Sequence, residues 1–189
     1  MLSYLPTHIV VYLCALAAVL GLVMGSALNC LAMRIVAGER WSGNSRSACP
    51  TCGHTLSALE LIPLLSWLIQ GGKCRHCKAP ISIRYPLTEA ILAIVFVAML
   101  LKFGLTAQLL SALVFAGCLL CLSLVDLDTQ IIPDRFILIP IVVRAAQLLY
   151  SGGFSALLTA AVPGFIIAGA VLLLSLIMEI GRASCRERV

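Results

Sequence analysis

Five apolar runs separated by polar breaks set the pattern of this chain. Ile9 to Met33 is nearly free of charge and long enough to cross a bilayer core of about 30 Å. A polar insert follows from Arg34 to Tyr85. Pro86 then opens a second apolar run, Leu87 to Phe103, which breaks at Phe103-Gly104. Leu105 to Val125 is the third run and stops at Asp126. A polar stretch, Asp126 to Arg135, is predicted as a loop. Phe136 to Tyr150 is a shorter run, and Arg144 within it must snorkel or face a polar interior. Ser151-Gly152-Gly153 is a strong turn signal, and Phe154 to Met178 is the last run. No internal repeat is evident. The pattern predicts an all-α polytopic membrane protein with about five spanning helices.

Composition agrees. The 189 residues are 61% hydrophobic and only 11% charged, whereas soluble domains carry about 25% charged residues. The net charge of +5 is not a nucleic-acid signal, because seven of the thirteen basic residues fall between Arg34 and Arg84. A basic loop between spanning helices is what the positive-inside rule predicts for a cytoplasmic segment. Counting crossings from there puts the N-terminus outside. Both the Arg34–Tyr85 insert and the Asp126–Arg135 stretch then lie inside. The first residues carry no Lys or Arg, so no cleavable signal peptide is expected.

The insert holds two C-x-x-C pairs, Cys49/Cys52 and Cys74/Cys77, with twenty-one residues between them. Each pair can turn two thiolates onto one ion. Two pairs complete a tetrahedral four-sulfur site of the kind zinc accepts in closed structural centres. The other readings of the same residues are two disulfides or four idle thiols. His54 and His76 flank the site and are read as non-ligands, since four thiolates already satisfy the ion.

Asp126, Asp128 and Asp134 fall within nine residues at a membrane boundary. Aspartic proteases need two carboxylates close enough to share one proton. Neighbours in sequence need not converge, however, and Asp134 also fits a cap of the next helix, with Pro133 fixing the turn before it.

The last eleven residues, 179–189, resemble the in-frame translation of a short-read sequencing adapter. They are read as an artefact, so the natural sequence is expected to depart from this one near Met178. The expected organisation is a first spanning helix over 1–33, a four-cysteine loop over 34–85, an incomplete membrane core over 86–178 and the adapter-like tail.

Several motifs in order carry a family resemblance. They are C-P-x-C-G-H from Cys49, I-P-L-L-S-W from Ile62, G-x-C-x-x-C-x-A-P-I-S from Gly72 and R-Y-P-L-x-E from Arg84. Upstream stand Gly25 to Asn29 (GSALN) with Arg34, and downstream D-L-D-T-Q-I-I-P-D from Asp126. Together they resemble the bacterial type IV prepilin peptidases, membrane aspartic proteases of the G-x-G-D type. The resemblance implies a bacterial plasma-membrane endopeptidase that cuts the leader of prepilin or pseudopilin precursors. It implies that many members also N-methylate the new N-terminus with S-adenosylmethionine. It assigns the first catalytic aspartate to Asp126, with Asp128 and Asp134 in support. The family's second aspartate lies in a G-x-G-D motif that this sequence lacks, so the chain as it stands is expected to be inactive. Two rival functions remain: a non-enzymatic zinc-binding membrane scaffold of a pilus or secretion system, and a thiol-redox protein working through its C-x-x-C pairs.

Overall fold

The computed structural model describes residues 4–38, 47–49, 51–130 and 133–186, with side chains not described at 58, 168 and 170–186. The remainder of the 34–85 insert, the middle of the Asp126–Arg135 stretch and the last three residues of the adapter-like tail lie outside the described residues. The chain forms two compact units, residues 1–143 and 144–189.

Among the described residues five helices occur, in the order α1 (Thr7–Val36), α2 (Leu65–Ile69), α3 (Arg84–Phe103), α4 (Ala107–Thr129) and α5 (Arg135–Arg186), with a 3-10 turn at Ala58–Leu61. Four of them are long and apolar enough to cross a membrane: α1, α3, α4 and the Arg135–Ile167 part of α5. The expected breaks between runs take specific forms. α3 ends at Gly104, whose φ of 63° few other residues adopt, and the Gly104 amide closes on the Leu100 carbonyl at 2.8 Å. The expected turn at Ser151–Gly153 takes the form of a kink at Gly153, whose φ of 65° and ψ of −162° divide α5 into two helical segments.

In the first unit, α1 packs along α3 and α4, and α3 packs on α4. Leu28 sits where two buried clusters meet. One is Ala32, Cys121, Leu124 and Val125, and the other is Leu92, Phe96 and Ala116. Outward faces are apolar as well, with Val11, Leu16, Ile94, Leu110 and Phe115 exposed. Backbone polar groups satisfied within each helix, under an apolar exterior, are what lipid demands.

The α1–α3 contact is tight because of two glycines one helical turn apart. A Cβ on Gly21 would stand 2.5 Å from the Ala93 Cα, and one on Gly25 would stand 2.8 Å from the Glu89 Cα. Backbone cannot yield as a flexible side chain can, so the helices would have to part. Gly25→Ala is expected to cost about 1–3 kcal/mol. Gly117→Ala, whose Cβ would meet only the end of the Leu28 side chain at 3.4 Å, is expected to cost little. Reversible unfolding in mixed detergent checks both.

Candidate metal centre and acidic helix end

The two C-x-x-C pairs form the same turn twice. In the first, the Cys49 amide donates to the His54 carbonyl at 2.9 Å, and the Gly53 amide donates back to the Cys49 carbonyl at 2.9 Å. In the second, Cys74 donates to Ala79 at 2.8 Å and Lys78 to Cys74 at 3.0 Å. Gly53 (φ 70°) and Lys78 (φ 61°) hold the same left-handed position. An isolated antiparallel bridge closes each turn, Ala48 with Thr55 and Lys73 with Pro80. This local repetition was not evident from residue types, because only the cysteines recur.

The turns face each other, and the four cysteine sulfurs lie within 4.8 Å of one another. Among the described residues this is the one group of His, Cys, Asp or Glu close enough to hold a metal. The Cys49 and Cys77 sulfurs are 3.8 Å apart, which matches the edge of a tetrahedron with Zn–S bonds of about 2.3 Å. The residues therefore fit the zinc that the spacing predicts. Charge in the metal-free cluster is uneven. Amide hydrogen bonds from Cys52 and Thr51 pull the Cys49 thiol down to about 6. At Cys52 the His54 amide also lowers the value, but desolvation and the neighbouring thiols outweigh it and push the thiol up to about 11. The Cys49 thiolate thus forms readily, whereas the ion's charge is needed to draw the proton from Cys52.

The two histidines stay out of the ligand set. Their rings stack on each other with centroids 4.3 Å apart. His54 also lies 3.8 Å from Glu60. The Glu60 carboxylate accepts bonds from the Ser57 amide and hydroxyl, both at 2.8 Å, which hold it below the usual carboxylate range.

The aspartates do not stand as a loop. α4 runs on through Asp126 and Asp128 to Thr129, and Gln130 ends it in a left-handed conformation with its amide on the Asp126 carbonyl at 2.9 Å. Residues two apart on a helix point to nearly opposite sides, so Asp126 and Asp128 are not a converging pair. Asp128 meets Arg84 at the start of α3 through two bonds, 2.8 and 3.3 Å long. Asp126 is exposed. Asp134 stands just before α5, where its carbonyl accepts the Ile137 and Leu138 amides. No local sequence pattern signals the Arg84–Asp128 pairing, because the partners are 44 positions apart. Both members of its ion pair are partly exposed, so Arg84→Ala is expected to cost less than about 1 kcal/mol in the same unfolding measurement.

Glu89 gains a definite place. It is buried in α3, and its Oε2 accepts the Leu64 amide at 2.7 Å, joining the cysteine loop to the helices. Next to it, the Asn29 side-chain amide donates to the Thr88 hydroxyl, linking α1 to α3.

Residues 19–103 match the family described as Bacterial Peptidase A24 N-terminal domain. That match covers both C-x-x-C turns and ends before α4. The prepilin leader peptidase/N-methyltransferase of Myxococcus xanthus is 46% identical over 115 residues, which are 61% of this chain and 34% of that protein. The protein of the same name from Pseudomonas aeruginosa is 36% identical over 161 residues, covering 73% of this chain and 55% of its own length. The Bacillus subtilis one is 40% identical over 106 residues, covering 56% and 43%. The chain thus spans between a third and just over half of these relatives. No solved structure matches.

Proposed function

We propose, from the match of residues 19–103 and the similarity to prepilin leader peptidases, that the chain is part of a membrane aspartic endopeptidase that removes the leader of type IV prepilin-like precursors. The observation that carries this reading is the place of Asp126. It stands uncovered by protein in the last turn of a membrane-length helix, while Asp128, two residues on, is tied to Arg84.

Asp126 supplies one of the two carboxylates the chemistry needs. With a second carboxylate across the scissile peptide, one proton is shared between them. The ionised member takes a proton from water as that water attacks the carbonyl, and the protonated member donates to the carbonyl oxygen. Collapse of the tetrahedral intermediate then breaks the C–N bond as the carboxyl group that took the water's proton gives it to the leaving nitrogen. The partner is assigned to a G-x-G-D motif, which this sequence does not contain. The 189-residue chain alone is therefore expected to give no turnover of a prepilin substrate. In this reading the Arg84–Asp128 pair fixes the last turn of α4 against α3 and so aims Asp126, and Asp134 sets the start of α5.

Cys49, Cys52, Cys74 and Cys77 would hold a zinc ion with a structural role, since four thiolates leave no open coordination position for substrate. The cysteine loop and Asp126 are assigned to the cytoplasmic face, which suits a leader presented from that side. The N-methyltransferase half of the relatives' name calls for a methyl donor such as S-adenosylmethionine. The hollow lined by His54, Ser57, Glu60, Arg75 and His76 shows nothing specific to that donor, and one oxygen of its Glu60 carboxylate is already bonded to Ser57. No methyl-transfer step is assigned to these residues. Replacing Asp126 in a chain that carries the G-x-G-D segment, with leader cleavage as the readout, tests the peptidase reading.

A further inference from the structure

The segment Leu59–Ile69 falls inside the insert expected to be polar, yet its outward side is apolar. Leu59, Leu61, Ile62, Leu65, Leu68 and Ile69 are all exposed, Ile69 to 84%. Apolar side chains grouped in this way on a surface mark a face that something covers.

Three observations point to lipid as the cover. The first is depth. The Leu64 amide is bonded to Glu89, which lies five residues into α3, or about 7.5 Å along the helix axis. The glutamate side chain leans back toward the helix N-terminus. The Leu64 backbone is thereby held about level with the first turn of α3 rather than out beyond it. The second is orientation. Trp67 turns inward, its indole donating to the Ile81 carbonyl at 3.2 Å and its ring packed on Gly72. Leu64 holds φ 61° and ψ −50°, a conformation costly for a leucine. This forced turn, tied down by Glu89, leaves the other apolar side chains of the segment pointing out. The third is charge. Lys73, Arg75 and Lys78 are exposed on the adjoining turn, as befits a surface against anionic headgroups.

We propose that Leu59–Ile69 is an interfacial segment, laying its apolar side chains into the lipid leaflet at the N-terminal end of α3 and setting the metal-binding turns on the headgroup surface. The proposal rests on α3 spanning the membrane. Interfacial helices bury an apolar face about 5–10 Å into the headgroup–acyl boundary, and the Glu89 bond keeps Leu64 beside the end of α3 where that boundary would lie.

The test uses the full chain in vesicles of phosphatidylethanolamine and phosphatidylglycerol. A spin label is attached through the ketone of p-acetylphenylalanine, which spares the native cysteines. It is placed singly at Leu65, Ile69, Thr55 and Ile94, and its accessibility to oxygen and to a water-soluble nickel chelate is measured. Ile94 lies exposed along α3 and reports on the span itself, whereas Thr55 lies exposed on the first cysteine turn. Labels at Leu65 and Ile69 are expected to show an oxygen-to-nickel ratio several-fold above that at Thr55 and close to that at Ile94. Nickel access equal to Thr55 at both positions overturns the proposal. So does shielding from both reagents, which would mean that a second copy or another stretch of protein covers the face. Nickel access at Ile94 would instead overturn the spanning of α3, and the proposal with it.

Discussion

Chelation of the purified chain is expected to release about one zinc ion per chain and to open the cysteine loop to protease, while the spanning helices stay protected. The loop has little else to hold it. Of its described residues only Cys49 and Cys74 are buried apolar positions, and its regular structure amounts to a 3-10 turn, a five-residue helix and two isolated bridges. A structural zinc binds with an apparent free energy of about 10–16 kcal/mol in small metal-dependent domains. That exceeds anything two buried sulfur positions supply. Cys74→Ser should therefore lose the metal outright, read as zinc content and as new cleavage between Cys49 and Cys77. Binding should release protons, because the metal-free cluster keeps Cys52 protonated well above neutrality. A loop equally resistant with and without chelator, and free of zinc as isolated, would refute the metal reading.

Asp126→Asn, in a chain that carries a G-x-G-D segment, is expected to lower leader cleavage by at least about 10²–10⁴-fold with zinc content unchanged. Asn keeps the size and helix register of Asp126 but cannot accept the proton of the attacking water. Asp128→Asn is expected to do much less, because it weakens only a part-exposed ion pair with Arg84. The comparison also separates the rival functions. A scaffold would tolerate Asp126→Asn and fail on loss of zinc, and a thiol-redox protein would fail on Cys→Ser changes while binding no metal. Cleavage that survives Asp126→Asn would remove the peptidase reading.

The apolar runs made the helices legible, because length and lack of charge are what a span requires. Their ends were less so. Hydrophobicity stops at Val125, but Asp126 to Thr129 contains no breaker, and the helix continues until Gln130 turns left-handed. Asp126 and Asp128 thus moved from an expected loop to opposite sides of a helix end. The convergence of four cysteines was readable from spacing alone, since each C-x-x-C fixes its own turn. The Arg84–Asp128 and Glu89–Leu64 bonds were not readable, because tertiary pairing is not written in local pattern. The same holds for the two glycines. Gly21 and Gly25 let α3 come into backbone contact, which their places in an apolar run do not announce. Leu59–Ile69 was counted with a polar insert because basic residues and cysteines surround it, and its exposed apolar side became visible only in three dimensions.

The repeated cysteine turn implies that the centre is a duplicate, two copies of one local shape that share little beyond their cysteines. What each half must conserve is then a backbone conformation, and the residue filling it is free to change. Gly53 meets the left-handed position without strain, while Lys78 meets it at a cost of about 1–2 kcal/mol. Neither half encloses an ion by itself, and the second is made twenty-five residues after the first. A ribosome must finish both before any metal can lock either, so under the zinc reading the maturation of this loop waits on the cell's supply of the ion.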